Sequence, residues 1–165
     1  MSVIRSMTDD TVADPDNQGS VLSPYMISHG TLECRSLARS RKFYEEFLGL
    51  ECAVHSPTSM AIRCGLKVHI TAVEVGDALH PGNLLNHWGL DLESRDAVDK
   101  AYKDSVASKE RYRIGEVKQP MERHGVYSFY LQDLDGNWWE IQHYDGFLHD
   151  DIFDFGDQYP LVERS

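Results

Sequence analysis

Two segments of this chain are built to one pattern, and that repetition limits the fold more than any other feature. His29 and His87 each open an extended stretch, YMISHGTLE and LNHWGLDLE. Ser36 and Ser94 follow as helix-start residues, then Tyr44 and Tyr102 on the helices, all at one constant offset. Gly65 and Gly136 punctuate later turns, and each is followed four residues on by a polar residue able to bind a metal, His69 or Glu140. An internal repeat of this kind predicts two copies of one supersecondary unit. Each half reads β-α-β-β-β. The expected fold is therefore α+β, with two tandem βαβββ modules forming a curved mixed sheet around a metal site.

In the first module, strand Tyr25–Glu33 leads to a helix from the Ser36 cap through Leu48, with Gly49 at its end. Strands around Glu51–His55, Met60–Cys64 and Lys67–Val75 complete it. In the second, strand Leu85–Glu93 is followed by a helix capped by Ser94. Its Ala97, Val98, Ala101, Tyr102 and Val106 recur at helical spacing. Two extended stretches then lead to a hairpin, VYSFYL and NWWEIQHY, turned at Asp133-Leu134-Asp135-Gly136. Alternation puts Tyr127, Phe129, Leu131, Trp139 and Ile141 on apolar faces, with Ser128, Tyr130, Glu140 and Gln142 opposite. Leu32, Val68, Ile70, Leu90, Trp139 and Ile141 form the side the helices are expected to cover. The modules span about 24–76 and 84–145 of a domain at 24–145. Residues 1–23 read as a flexible arm. Residues 146–165 read as an acidic tail whose aromatics pack on the body or on a second subunit.

Charge and cysteine content narrow the function. A formal net charge of −11 over 165 residues argues against nucleic acid as a partner. Three cysteines without CxxC spacing argue against a disulfide framework and favour a reducing cytoplasm. No apolar run is long enough to span a bilayer, and Met1–Asp10 lacks the apolar core of a secretory signal.

Glu140 sits between apolar neighbours, where a carboxylate costs free energy to bury unless it is paired or holds a metal. With His29 and His87 it makes a two-histidine, one-carboxylate set. Such a set leaves open coordination positions, as non-haem Fe(II) oxygenases require, and also suits Mn, Zn or Co in Lewis-acid chemistry. His69 is expected near the same face, as a fourth ligand, an acid/base group or a hydrogen-bonded strand histidine. Tyr130 could hydrogen-bond an ionised oxygen, and His124 lies in the loop before that strand. His55, His80, His143 and His149 read as structural or surface residues.

These segments resemble the vicinal oxygen chelate superfamily of glyoxalase I, fosfomycin-resistance transferases, bleomycin-resistance proteins and type I extradiol dioxygenases. The resemblance covers about Tyr25 to Asp145. It is carried by the His29 strand with SRKFYEEFLGL, the His87 strand, and DLDGNWWEIQ ending near the ligand glutamate. NHWGLDLESRDAVDKAY and HGVYSFYLQDLDGNWWEIQ look most like the catalytic half of the extradiol ring-cleaving enzymes. There, a tyrosine stands ten residues before the glutamate, as Tyr130 does. The resemblance implies an Fe(II) enzyme (alternatives Mn, Zn, Ni) that opens a catechol-like diol with O2 to a muconic semialdehyde type of product. It implies His29, His87 and Glu140 as ligands, His69 as proton shuttle, Tyr130 and His124 as assisting groups, and a homodimer. A glyoxalase-like lyase or isomerase is the alternative, and a glutamate in place of His69 would favour it. A thiol transferase would need a cationic anion pocket, for which the site face offers little beyond Lys67. A member that only sequesters an aromatic ligand would not need all three metal ligands.

Overall fold

The computed structural model describes residues 21, 27–65, 68–80, 82–123, 125–144 and 159–160. Apart from Val21, Tyr159 and Pro160, the expected N-terminal arm and C-terminal tail lie outside the described residues, as do His124 and Lys67. The chain divides into two compact units, with the break between Pro81 and Gly82.

In the first unit, β1 (His29–Cys34), β2 (Glu51–Ser56), β3 (Ser59–Arg63) and β4 (His69–Glu74) form a mixed sheet in the order β1-β4-β3-β2. β1 and β4 are parallel, and the other pairs are antiparallel. The second unit repeats that plan with β5 (His87–Asp91), β6 (Met121–Arg123), β7 (Val126–Gln132) and β8 (Trp138–Tyr144), in the order β5-β8-β7-β6. Again only the first and last strands pair in parallel. The helical crossover joins the first and second strands of each unit. The fold is α+β, two tandem βαβββ modules, as the repeat implied.

Strand alternation decides which face is the core. In the second unit, Phe129 pairs with Ile141 and Leu131 with Trp139, and all four are buried. Helix α2 (Arg95–Ala107) covers that face. Its Val98 is buried, and its Tyr102 meets Phe129 edge to face at 5.6 Å. Ser94 caps α2 as expected, its hydroxyl accepting from the Ala97 amide at 3.2 Å. Val106, expected on the apolar face, is half exposed instead, and Ser105 is the buried residue of that turn, bonded to the Ala101 carbonyl. In the first unit the core face carries Leu32, Cys34, Met60, Ile62 and Ala72. Val68, expected there, is exposed.

The first helix departs from expectation. α1 (Leu37–Lys42) gives way to a π-helical turn over Phe43–Phe47, closed by the Leu48 amide on the Phe43 carbonyl. The wider turn lets Phe43 and Tyr44, adjacent in sequence, both be buried. The Ser36 side chain does not cap α1. Glu74 on β4 does so instead, accepting from the Leu37 amide at 2.7 Å. A short helix α3 (Lys109–Tyr112), absent from the expected element list, follows α2 and ends on Arg113 at φ 56°. Among the described residues, no helix is long and apolar enough to cross a membrane, and none of the three cysteines is in a disulfide.

Candidate metal and substrate site

The hairpin β7–β8 brings the second unit's polar residues together. Tyr130 pairs directly with Glu140 and Ser128 with Gln142, so these side chains share the face opposite the core. The parallel neighbour β5 sets Gly89 beside Glu140 and His87 one pleat earlier, beside Trp138. Gly89 has no side chain, so nothing on β5 covers Glu140 at that level.

His87 and Glu140 meet. Nδ1 of His87 lies 2.7 Å from the Leu84 carbonyl, and Nε2 lies 3.1 Å from Oε2 of Glu140. A carbonyl only accepts, so Nδ1 carries the proton. The Nε2 lone pair of a neutral imidazole then faces a carboxylate oxygen. Two acceptors at that distance repel unless a proton or a metal cation sits between them. This donor set fits a divalent cation: an imidazole fixed in the Nε2-binding tautomer and a carboxylate anchored from behind. Ser128 donates to Oε1 of Glu140 at 2.6 Å, and the Tyr130 phenol also bonds that carboxylate. Burial, then the bond to Glu140 and its charge, push the Tyr130 phenol up to about 12. It therefore stays a neutral donor through the working pH range. Its ring meets His87 edge-on at 5.1 Å. The same face continues to buried Trp138, with the Lys118 ammonium 5.7 Å over its ring.

In the first unit, His29 and His69 are direct partners of the parallel β1–β4 ladder, and their rings stack at 5.6 Å and 15°. Ser28 Oγ lies 2.8 Å from His29 Nδ1. A hollow of about 380 Å³ opens on this unit, lined by Glu51, Cys52, Ala53, Ala61, Arg63 and His69. Thus His87, Tyr130 and Glu140 come together in one unit, and His29 and His69 in the other. No group of three metal-capable His, Cys, Asp or Glu side chains occurs among the described residues.

Two features escaped the sequence reading. Ser128 anchors Glu140, a role its place two residues before Tyr130 on the same face could have suggested. Arg63 adds a guanidinium beside His69, so the cationic content of this face was underestimated. The repeat correspondence also needs correction. Glu140 pairs with Gly89 and Tyr130, whereas the matching ladder position in the first unit, two residues past His29, pairs Thr31 with Thr71 and Thr71 with Ala61. Thr71 is therefore the register counterpart of Glu140, and His69 that of Trp138. The turns differ: Ile62–Ile70 and Gln132–Trp138 are the innermost pairs, so Gly65 and Gly136 fall on opposite sides of their turn centres.

A duplicated βαβββ scaffold with imidazole and carboxylate on its polar faces defines a class of small metal-using proteins. The chain belongs to the Glyoxalase/Bleomycin resistance protein/Dioxygenase superfamily, whose family model matches residues 26–141. Members bind divalent metals and small-molecule substrates, are often enzymes, and commonly form dimers. Among solved structures, lactoylglutathione lyase from Agrobacterium tumefaciens is 20% identical, covering 73% of this chain and 95% of its own, at a TM-score of 0.56. The fosfomycin resistance protein FosX from Listeria monocytogenes is 22% identical, covering 79% and 100%, at 0.60. A glyoxalase/bleomycin resistance protein/dioxygenase from Nocardioides is 19% identical, covering 78% and 93%, at 0.58. These likenesses show the fold. No protein of curated function matches the chain.

Proposed function

We propose that the chain is an Fe(II)-dependent extradiol dioxygenase that opens a catechol-like aromatic diol with O2, using His29, His87 and Glu140 as metal ligands. The observation that carries this reading is the His87–Glu140 contact, with Nδ1 committed to a carbonyl and Nε2 turned on the carboxylate. Fe(II), with Mn, Zn and Ni as alternatives, would supply open positions for the diol oxygens and O2 and a path for electrons between them. The chain's residues do the rest. Ser128 holds one oxygen of Glu140, leaving the other turned toward His87. The Tyr130 phenol, neutral below about pH 12, turns its one O–H from Glu140 to an ionised diol oxygen. His69, next to His29, accepts a diol proton and returns it to the product, and His124 assists. Both O2 atoms end in the ring-opened product, so no external reductant is needed. The family's habit supports a homodimer.

The register supports three ligands rather than four. Thr71 stands where a second carboxylate would match Glu140, and a glyoxalase-like lyase would want a carboxylate there. The test is anaerobic loading with Fe(II), then a panel of catechols in air. Oxygen uptake and a yellow ring-opened product are expected, both lost in Glu140→Gln. If no diol consumes oxygen in protein shown to hold iron, the dioxygenase reading is wrong.

A further inference from the structure

The first unit's hollow is assigned no task by that reading. Its floor is Ala53 and Ala61, a direct cross-strand pair. Ala61 occupies the ladder position that Tyr130 fills in the second unit. Where one unit carries a phenol, the other therefore has a methyl group, and space results. Arg63 stands at the wall, one step beyond the Ile62–Ile70 pair and thus across from His69.

The guanidinium is oriented. Its Nε bonds Oε2 of Glu51, the cross-strand partner of Arg63. That bond steers the planar fork and leaves both terminal nitrogens without another partner among the described residues. Terminal guanidinium N–H groups held in one plane match a carboxylate, which accepts two parallel bonds. The surroundings otherwise suit a small organic group: two alanines, the edge of Cys52 and the His69 imidazole. A hollow of about 380 Å³ lies within the range of small-molecule sites.

We infer that this hollow is the subsite for an anionic side arm of the substrate, so that the diol is a carboxylate-bearing catechol whose acid group bonds Arg63. The assignment rests on the proposed function for the diol, because His69 stacks on the proposed ligand His29. It rests on the hollow alone for the anion. Glu51 both orients Arg63 and offsets its charge, so recognition here comes from directed donors rather than a net positive field.

Two arms test it. In the first, metal-free protein is titrated with 4-hydroxyphenylacetate or with 4-ethylphenol, and the His69 ring protons are followed by NMR. The acid should shift them saturably and the neutral phenol should not. Arg63→Gln should abolish the shift, and Arg63→Lys should restore part of it. Glu51→Gln, which keeps an acceptor for Nε but removes the charge, should tighten binding a few-fold. No response to the acid, or an equal response in Arg63→Gln, overturns the subsite. In the second arm, iron-loaded protein is given 3,4-dihydroxyphenylacetate or 4-ethylcatechol. Arg63→Gln should raise KM for the acid roughly 10- to 100-fold, the loss of one charge-assisted contact, with kcat and the neutral diol's constants unmoved. Equal losses for both diols overturn the inference. Turnover of neither diol, with the NMR response intact, rejects the dioxygenase chemistry and leaves the anion subsite standing.

Discussion

Replacing Asp133 should damage both stability and the proposed metal site, because this carboxylate ties the β7–β8 turn. Asp133 is 2% exposed. Its Oδ1 accepts from the amides of Asp135 and Asn137, each at 2.9 Å. Its Oδ2 accepts from Asn137 Nδ2 at 3.0 Å and from Trp139 Nε1 at 3.3 Å. Asp133→Ala leaves two backbone donors and an indole N–H facing a cavity. One unsatisfied buried donor costs about 1–3 kcal/mol, and such terms do not add fully. Partial rescue by water leaves an expected loss of about 3–5 kcal/mol, a large part of a small domain's usual stability of about 5–15 kcal/mol. Asp133→Asn is nearly isosteric but must turn an amide NH2 toward donors, so it should recover no more than about half. Urea unfolding followed by tryptophan emission measures this. The turn also sets which face of β8 holds Glu140, since a one-residue slip would move every side chain across the sheet. Affinity for a divalent ion should therefore fall alongside stability, by tenfold or more. A variant that keeps full stability, or loses stability while binding metal at wild-type strength, would show that the turn does not hold the site in register.

Two further predictions follow from named contacts. Ser128→Ala removes the 2.6 Å donor behind Glu140 and should weaken divalent-metal binding about 10- to 100-fold, with Ser128→Thr restoring most of it in a chelator competition. The cysteines should react in order of exposure: Cys64 first at pH 8, and Cys34, fully buried, only on unfolding. Cys52 should be slow until alkaline pH, because burial, then the Glu45 charge, pushes its thiol up to about 11 from 9.0. A raised thiol favours the protonated fold, so that stabilisation is whole below about pH 9 and is lost as pH rises through about 11. Alkylation rates across that range, read by mass spectrometry, check it.

Alternation made the faces of the hairpin legible. Residues of one parity on β7 and β8 share a side whatever the turn does, so Phe129, Leu131, Trp139 and Ile141 could be assigned to the core and Tyr130 and Glu140 to the opposite face before any pairing was known. Ser94 as a cap was legible for a similar reason, since the signal is local. What stayed hidden depends on distant contacts. Ser36 has the right residue type and extended backbone for a cap, yet its side chain makes no cap bond, and the first amide of the helix, that of Leu37, is taken by Glu74 from far along the chain. The π-helical turn exists because the core takes both Phe43 and Tyr44, and a helical pattern read from sequence does not record how much room the sheet leaves.

Register was the deepest gap. Parity is fixed by a period of two, but register is fixed by how many residues a turn consumes. Matching Gly65 to Gly136 kept the parity right and the level wrong by one pleat. The consequence reaches the chemistry. With the ladders aligned, the second unit offers His87, Tyr130 and Glu140 where the first offers His29, Ala61 and Thr71. Duplication therefore copied one imidazole into each half and the carboxylate into only one. The proposed ligand set accordingly has two histidines and a single acid, the composition that leaves coordination positions open. The position lacking the phenol, Ala61, is the one that lines the hollow beside the Arg63 guanidinium. Installing the missing acid tests this division of labour directly. Thr71→Glu should add a fourth ligand to the proposed set, a second carboxylate, tighten binding of Zn or Ni, and suppress oxygen uptake with every diol. Unchanged metal affinity in that variant would mean that ladder position does not face the cation, and the alignment of the two halves argued here would fail.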